Sequence, residues 1–410
     1  MSTVRYFSRR SPLHFYPCKP THHSLFSVFL LSPLHFPHCK PTHPSFFSIF
    51  FSGHAHTKAL ENPILYNYLI DNFNYPKSKA LTISTRMPWI KTPEKPESVV
   101  HFFKSIGFSD AHIQSLMRDV PQLLSADIEK TLKPKIKLFQ DLGILGPDMG
   151  NFMCKKAHLL TRSLDNVIRP CIDVLKDILR NDIDNRHLFL VMQRCLWIVM
   201  RSPEVRLLPN VEYLRSCGIV GTQLATLLRR QPRLFIIPLP KLKDLVSKVL
   251  DLGFLTDSRM LAHGLHSFSS VSGGTFRKKL GIFRSYGFSE KECLGMIRRS
   301  PTLLRTSEEK LKLGIEFFLN TIEAEKSVLL CRPSLLMFSM EERVLPRYQV
   351  LNLINSKMLL KKELSFVQAL FLSEADFVEK YIARFPEVAE ELLMAYKGHL
   401  LVSNGLEFPV

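Results

Sequence analysis

One phrase returns along this chain at a nearly constant interval, and that periodicity constrains the fold more than any other feature. Ser98, Pro134, Pro170, Pro209, Asp244, Lys278, Leu313 and Pro346 serve as anchors, separated by 36, 36, 39, 35, 34, 35 and 33 residues. Two positions after the anchors stand Val100, Ile136, Ile172, Val211, Val246, Leu280, Ile315 and Tyr348. Five positions after them stand Phe103, Phe139, Leu175, Leu214, Val249, Phe283, Phe318 and Leu351. Gly107, Gly143, Gly218, Gly253 and Gly287 follow nine positions after five of the anchors. Apolar residues at these offsets form one helical stripe. Proline at a first helical position loses no internal hydrogen bond, and glycine accepts the left-handed conformation that closes a helix. Each unit is therefore expected to open with a short helix that starts at its anchor and ends at the glycine.

A second helix follows. In Ser109–Val120 a serine caps a segment whose Ile113, Leu116, Met117 and Val120 share a face; Thr222–Arg230 and Ser289–Arg299 repeat the pattern. Then comes a proline, any residue and two apolar residues, at Pro121, Pro232, Pro301 and Pro333. Ala157-His-Leu-Leu and Cys195-Leu-Trp-Ile are degenerate copies, and the copy around His266–Ser270 is nearly lost. Proline stops the second helix, and the apolar pair is expected to tuck a third turn into the core. A unit this short cannot bury its faces alone, whereas stacked copies can. The expected fold is all-α: an α-solenoid of about eight three-helix repeats over residues 59–400, with caps at Asn62–Lys91 and Phe366–Tyr396 and a short tail at 401–410.

The first 60 residues differ in kind. They contain no acidic residue, six basic ones and eight of the fifteen histidines. Ser11–Phe29 and Ser32–Phe50 match at 14 of 19 positions, a tandem duplication in a segment under little folding constraint. A basic, Ser-rich, acid-free N-terminus has the composition of an organelle transit peptide. We expect one over residues 1–58, mitochondrial by its Arg5, Arg9 and Arg10, with the chloroplast as the alternative. The apolar patch Leu25–Leu31 fits a secretory signal less well, because proline and histidine interrupt it. No apolar run of about 18 residues exists, so membrane insertion is not expected.

The chain carries 55 Lys and Arg against 37 Asp and Glu, a net charge of +18. Such an excess suits a polyanionic partner. Basic residues recur just before the motif proline or its equivalent: Arg118, Lys155, Lys156, Arg194, Arg229, Arg230, Arg298, Arg299, Arg332 and Arg384, with Arg233 just after one. Stacked repeats would align them into a stripe matched to a phosphate backbone. The helix dipole also favours cations at these ends. Lys133, Lys135, Lys137, Lys241, Lys243, Arg277, Lys278, Lys279 and Lys310, around the first helices, read as solvated outer-face charge. Trp197 lies in an apolar run and reads as core, as do the many phenylalanines on the stripes.

The phrase at this period resembles the mitochondrial transcription termination factor (mTERF) family, its land-plant branch in particular. The carrying stretches are Thr92–Leu124, Glu129–Ile144, Leu159–Pro170 and Ser373–Tyr396, within a likeness spanning Asn62–Tyr396. The resemblance implies a curved half-ring of three-helix repeats with a basic groove. It also implies a protein that acts on organelle nucleic acid, double-stranded DNA or RNA, in transcription, including termination, or in transcript processing. The expected state is a monomer, working with other organelle transcription or splicing proteins. A protein-interaction scaffold is the alternative.

Signatures of catalysis are missing. No Cys-x-x-Cys pair, phosphate-loop lysine motif, His-Glu-x-x-His or nucleophile elbow occurs, and no cofactor or metal is expected. Cys154, Cys171, Cys195, Cys217, Cys293 and Cys331 read as reduced and mostly buried. Ser272-Gly273-Gly274-Thr275 reads as an inter-helix loop interrupting one unit.

Overall fold

The computed structural model describes residues 62–403 apart from 181, 257 and 361–364. The transit segment expected at 1–58 and most of the tail expected at 401–410 lie outside the described residues. Two compact units divide the described chain at residue 246. The first holds α1 (Pro63–Phe73), α2 (Lys77–Arg86), α3 (Glu94–Ser105), α4 (Asp110–Asp119), α5 (Lys133–Asp141), α6 (Gly146–Lys155), α7 (Arg169–Ile178), α8 (Arg186–Arg194), α9 (Leu207–Ser216) and α10 (Gly221–Arg230), and the division falls inside α11 (Leu239–Asp251). The second continues with α12 (Arg259–Ser269), α13 (Gly273–Ser285), α14 (Glu290–Arg299), α15 (Glu308–Glu316), α16 (Lys326–Cys331), α17 (Leu345–Ser356), α18 (Phe366–Phe371), α19 (Glu374–Val378) and α20 (Ala389–Ser403). Among the described residues no strand occurs, and the architecture is the expected all-α repeat solenoid.

The glycine column behaves as its chemistry dictates. Gly107, Gly143, Gly218, Gly253 and Gly287 all close first helices with φ between 78° and 102°, a region that L side chains avoid. The anchor column does not. First helices begin before their anchors: α3 at Glu94 rather than Ser98, α13 at Gly273 rather than Lys278, α15 at Glu308 rather than Leu313. Pro134, Pro170 and Pro346 lie inside continuous helical runs that open in wider π geometry at Ile128–Leu132, Leu164–Ile168 and Met340–Val344. Proline has no N–H for the carbonyl one turn back, and the wider turn re-routes the neighbouring bonds to a five-residue spacing. Leu132 donates to the Asp127 carbonyl at 3.1 Å, Ile168 to Ser163 at 3.1 Å and Val344 to Ser339 at 2.9 Å. The side chains of Asp127, Ser163 and Ser339 cap these true starts, as N-cap residues do.

The third element is a 3₁₀ turn, found at Pro121–Ser125, Ala157–Thr161, Leu196–Val199, Pro232–Ile236, Pro301–Arg305 and Pro333–Met337. In each turn two adjacent apolar residues are buried: Leu123 and Leu124, Leu159 and Leu160, Ile198 and Val199, Leu234 and Phe235, Leu303 and Leu304, Leu335 and Leu336. The copy around Cys195 is displaced by one residue from its sequence register. Leu196 takes the proline position, so Ile198 and Val199 are buried and Trp197 is left 46% exposed. Ser272 is no interrupting loop either; its hydroxyl accepts from the Thr275 N–H and caps α13.

Four of the turns are pinned by a polar residue one position after an anchor. Lys135 Nζ donates to the Leu160 carbonyl, and Cys171 Sγ to Arg201 at 3.1 Å. Asn210 Nδ2 donates to Leu234 and Ile237 at 3.3 and 2.9 Å, and Lys279 Nζ to Thr306. In the same column Arg347, fully buried, donates to Ala369 and Leu372 at 2.7 and 2.9 Å and lies over the Phe377 ring. Lys135 and Lys279 are each only 4% exposed, so their reading as solvated outer-face charge is corrected. Their ammonium groups reach carbonyls that the closing turn would otherwise leave unpaired. Burial lowers both lysines' pKa, Lys135 to about 8.

Candidate nucleic-acid interface

The basic residues are placed by how the second helices stack. In the first unit α4 packs on α6 and α8 on α10, and the turn Leu196–Val199 lies against Pro232–Ile236. In the second unit α14 packs on both α12 and α16, and Pro301–Arg305 lies against Pro333–Met337. The C-terminal ends of second helices meet at α6 and α8, where Lys156 reaches the Gln193 carbonyl, and at α8 and α10, where Arg194 reaches the Arg229 carbonyl.

Successive residues on a helix point about 100° apart, so the adjacent pairs divide their duties. Arg229 is half-buried and bonds His187 Nε2 at 3.0 Å and Thr226 Oγ1 at 3.1 Å, while Arg230 is exposed. Arg298 is half-buried and donates to the Leu252 carbonyl at 2.9 Å, while Arg299 is exposed. Burial, then the neighbouring Arg299, holds Arg298 below the ordinary guanidinium value. Lys156 is half-buried with Nζ 3.4 Å from the Gln193 carbonyl, and Lys155 is exposed. Burial likewise lowers the Lys156 pKa.

Arg118 is exposed, and its own carbonyl accepts from Lys79 at 3.2 Å. Arg194 is exposed and donates to the Arg229 carbonyl at the end of α10. Cations thus neutralise the carbonyl ends of neighbouring helices, and the dipole reading accounts for part of the pattern. Arg233 is exposed on its turn. Arg332 is exposed with its guanidinium 5.5 Å from the Phe371 ring. Arg384 stands apart from this arrangement. It follows the helical run Glu374–Ala383 and precedes the turn Pro386–Val388, which buries no residue.

Sequence reasoning passed over a second set of cations on the far side of the turns. Arg162, Arg201 and Arg305 are exposed just after, or at the end of, Ala157–Thr161, Leu196–Val199 and Pro301–Arg305. The signal was present as a basic residue four or five positions after the turn begins. Three turns are therefore flanked by positive charge on both sides.

Cys171, Cys195 and Cys293 are buried, and burial pushes the Cys171 thiol up to about 12 and the Cys293 thiol to about 11. Cys331 is exposed. Among the described residues no three His, Cys, Asp or Glu side chains stand together as metal ligands would, and no helix is long and apolar enough to cross a membrane.

Fold and surface together define an all-helical repeat protein whose second-helix ends and turns carry recurrent basic charge. The mTERF family profile matches residues 100–260 and 261–378, and the chain belongs to that family. Among curated proteins it is 22% identical over 293 residues to "Transcription termination factor MTERF8, chloroplastic" of Arabidopsis thaliana, covering 70% of this chain and 57% of that protein. It is 20% identical over 301 residues to "Transcription termination factor MTERF15, mitochondrial" of the same plant, covering 72% and 57%. The chain thus spans just over half the length of the curated relatives it matches.

Proposed function

We propose that this chain is a nucleic-acid-binding regulator of gene expression in an organelle, binding double-stranded DNA to modulate or terminate transcription. RNA in transcript processing is the alternative substrate. The observation that carries the reading is the exposed half of the cation set. Arg118, Lys155, Arg194, Arg230 and Arg233 in the first unit, and Arg299, Arg305 and Arg332 in the second, occupy recurrent positions beside stacked helix ends and turns. Cations recurring along the stacked repeats of each unit neutralise phosphates, and the counterions they release supply affinity. The relatives' names, and the composition of residues 1–58, support an organelle; we place it in the mitochondrion, with the chloroplast as alternative.

The test is a binding titration against salt. The logarithm of affinity should fall linearly with the logarithm of salt concentration. Arg118→Glu, Arg230→Glu and Arg299→Glu combined should weaken binding and flatten the slope by about one for each phosphate no longer neutralised. Unchanged affinity in that variant overturns the assignment.

One observation favours protein docking as a second reading. At the opposite ends of the second helices Leu145, Ile183 and Val220 are 63%, 93% and 52% exposed in three successive repeats. Changing these three to Ser should leave nucleic-acid binding intact while releasing any protein that co-purifies through this edge.

A further inference from the structure

Trp197 occupies the position after the first residue of a 3₁₀ turn, which in the other turns is held by Gln122, His158, Arg233, Thr302 and Ser334. Each of those is polar, because the position faces outward while the next two residues fill the core. Trp197 is the one apolar occupant among these turns, and the residue is 46% exposed although Ile198 and Val199 beside it are buried. Packing does not call for an indole here.

Its surroundings are cationic. The turn carrying Trp197 packs against the turn carrying Arg233. Arg194 ends the helix just before it, and Arg201 stands just after it. Cys195, two residues away, lies in the field of both Arg233 and Lys156, which oppose the upward push of burial on its thiol. A flat aromatic face among phosphate-binding cations has the composition of a stacking platform for an unpaired base. A base inside an intact duplex has both faces covered by its neighbours and offers nothing to such a ring.

We infer that Trp197 stacks on a nucleobase of a single-stranded stretch of the bound nucleic acid, with Arg194, Arg233 and Arg201 holding the flanking phosphates. This rests on the nucleic-acid reading above and deepens it, since it assigns the first unit a target with unpaired nucleotides.

The chain has two tryptophans, Trp89 and Trp197, so the full-length Trp89→Phe variant reports fluorescence from Trp197 alone. A short single strand of mixed sequence, DNA or RNA, should quench that fluorescence on binding. The same strand with abasic sites, and a blunt duplex of the same sequence, should bind with little quenching. Trp197→Ala should weaken single-strand binding about tenfold, as expected for the removal of one base stack, with Trp197→Phe recovering most of it and the melting temperature unchanged. Salt-dependent binding that persists with no quenching and no effect of Trp197→Ala overturns the inference and leaves the proposed function standing. Equal quenching by the intact duplex also overturns it. Absence of binding to every probe at low salt overturns both.

Discussion

The repeat that ends in Pro301–Arg305 and the one that ends in α12 solve the same closure problem differently. After α14, a proline stops the helix, Leu303 and Leu304 turn into the core, and Lys279 from the first helix meets the Thr306 carbonyl. After α12 no such turn forms. The helix runs on to Ser269, burying His266, Ser267 and Ser269 beside Leu265 and Phe268, and the neighbouring turn Pro301–Arg305 packs against it. The pinning column changes in step, since the position of Lys279 is Leu245 in α11. The turn is thus a separable module rather than a requirement of the repeat. Other repeats show further ways to hold it: Val99 buries an apolar side chain at that position, and Gly314 lets Leu336 approach so closely that an added Cβ would lie 3.1 Å from Leu336 Cδ2.

The comparison can be broken most strongly at the apolar pair. Leu303→Ala should cost about 2–5 kcal/mol in chemical denaturation, the range for a buried leucine; a loss no greater than that of a surface substitution would show that the turn is not integral to its unit. Asn210→Ala removes both donors to Leu234 and Ile237 and should cost about 1–3 kcal/mol.

The pH dependence of Lys135 sharpens the contrast. Its folded pKa lies near 8 against an ordinary 10.5, so the unfolded chain binds more protons between those values. The contribution of Lys135 to stability should therefore rise as pH climbs from about 8 toward 10.5, and the difference in melting temperature between wild type and Lys135→Met should shift in that direction. The smallest effect belongs to α12. Ser267 Oγ is buried without a partner, so Ser267→Ala should be neutral or stabilise by less than about 1 kcal/mol. A large loss would show that the hydroxyl serves that repeat.

The stripes, the glycines and the proline turns were legible because each follows from a single backbone or burial rule applied at a fixed offset. Helix starts were not. Pro134, Pro170 and Pro346 carry the chemistry of a first helical residue, yet a capped π turn precedes each, and only the less prominent Asp127, Ser163 and Ser339 mark the real beginnings. Lys135 and Lys279 were misplaced because charge alone does not say whether a buried carbonyl waits for it. Trp197 was misread because one residue of register separates the core from the surface in a 3₁₀ turn. For the candidate interface, the offset before the proline was readable from sequence. Which member of each arginine pair turns outward was not, since that depends on where the neighbouring repeat presents an acceptor, such as His187 for Arg229 or the Leu252 carbonyl for Arg298.

The π turns at the head of α5, α7 and α17 also bear on how such a chain tolerates changes in length. In an ordinary helix, inserting or deleting one residue swings everything downstream by about 100° and carries the apolar stripe off its neighbour. A turn already wound one residue wide can surrender that residue, or hold it, while the stripe beyond stays in place. Each acts as an expansion joint of one residue, finer than the variation of repeat spacing between 33 and 39 residues, whose longest interval, into Pro209, meets a helix without such a turn.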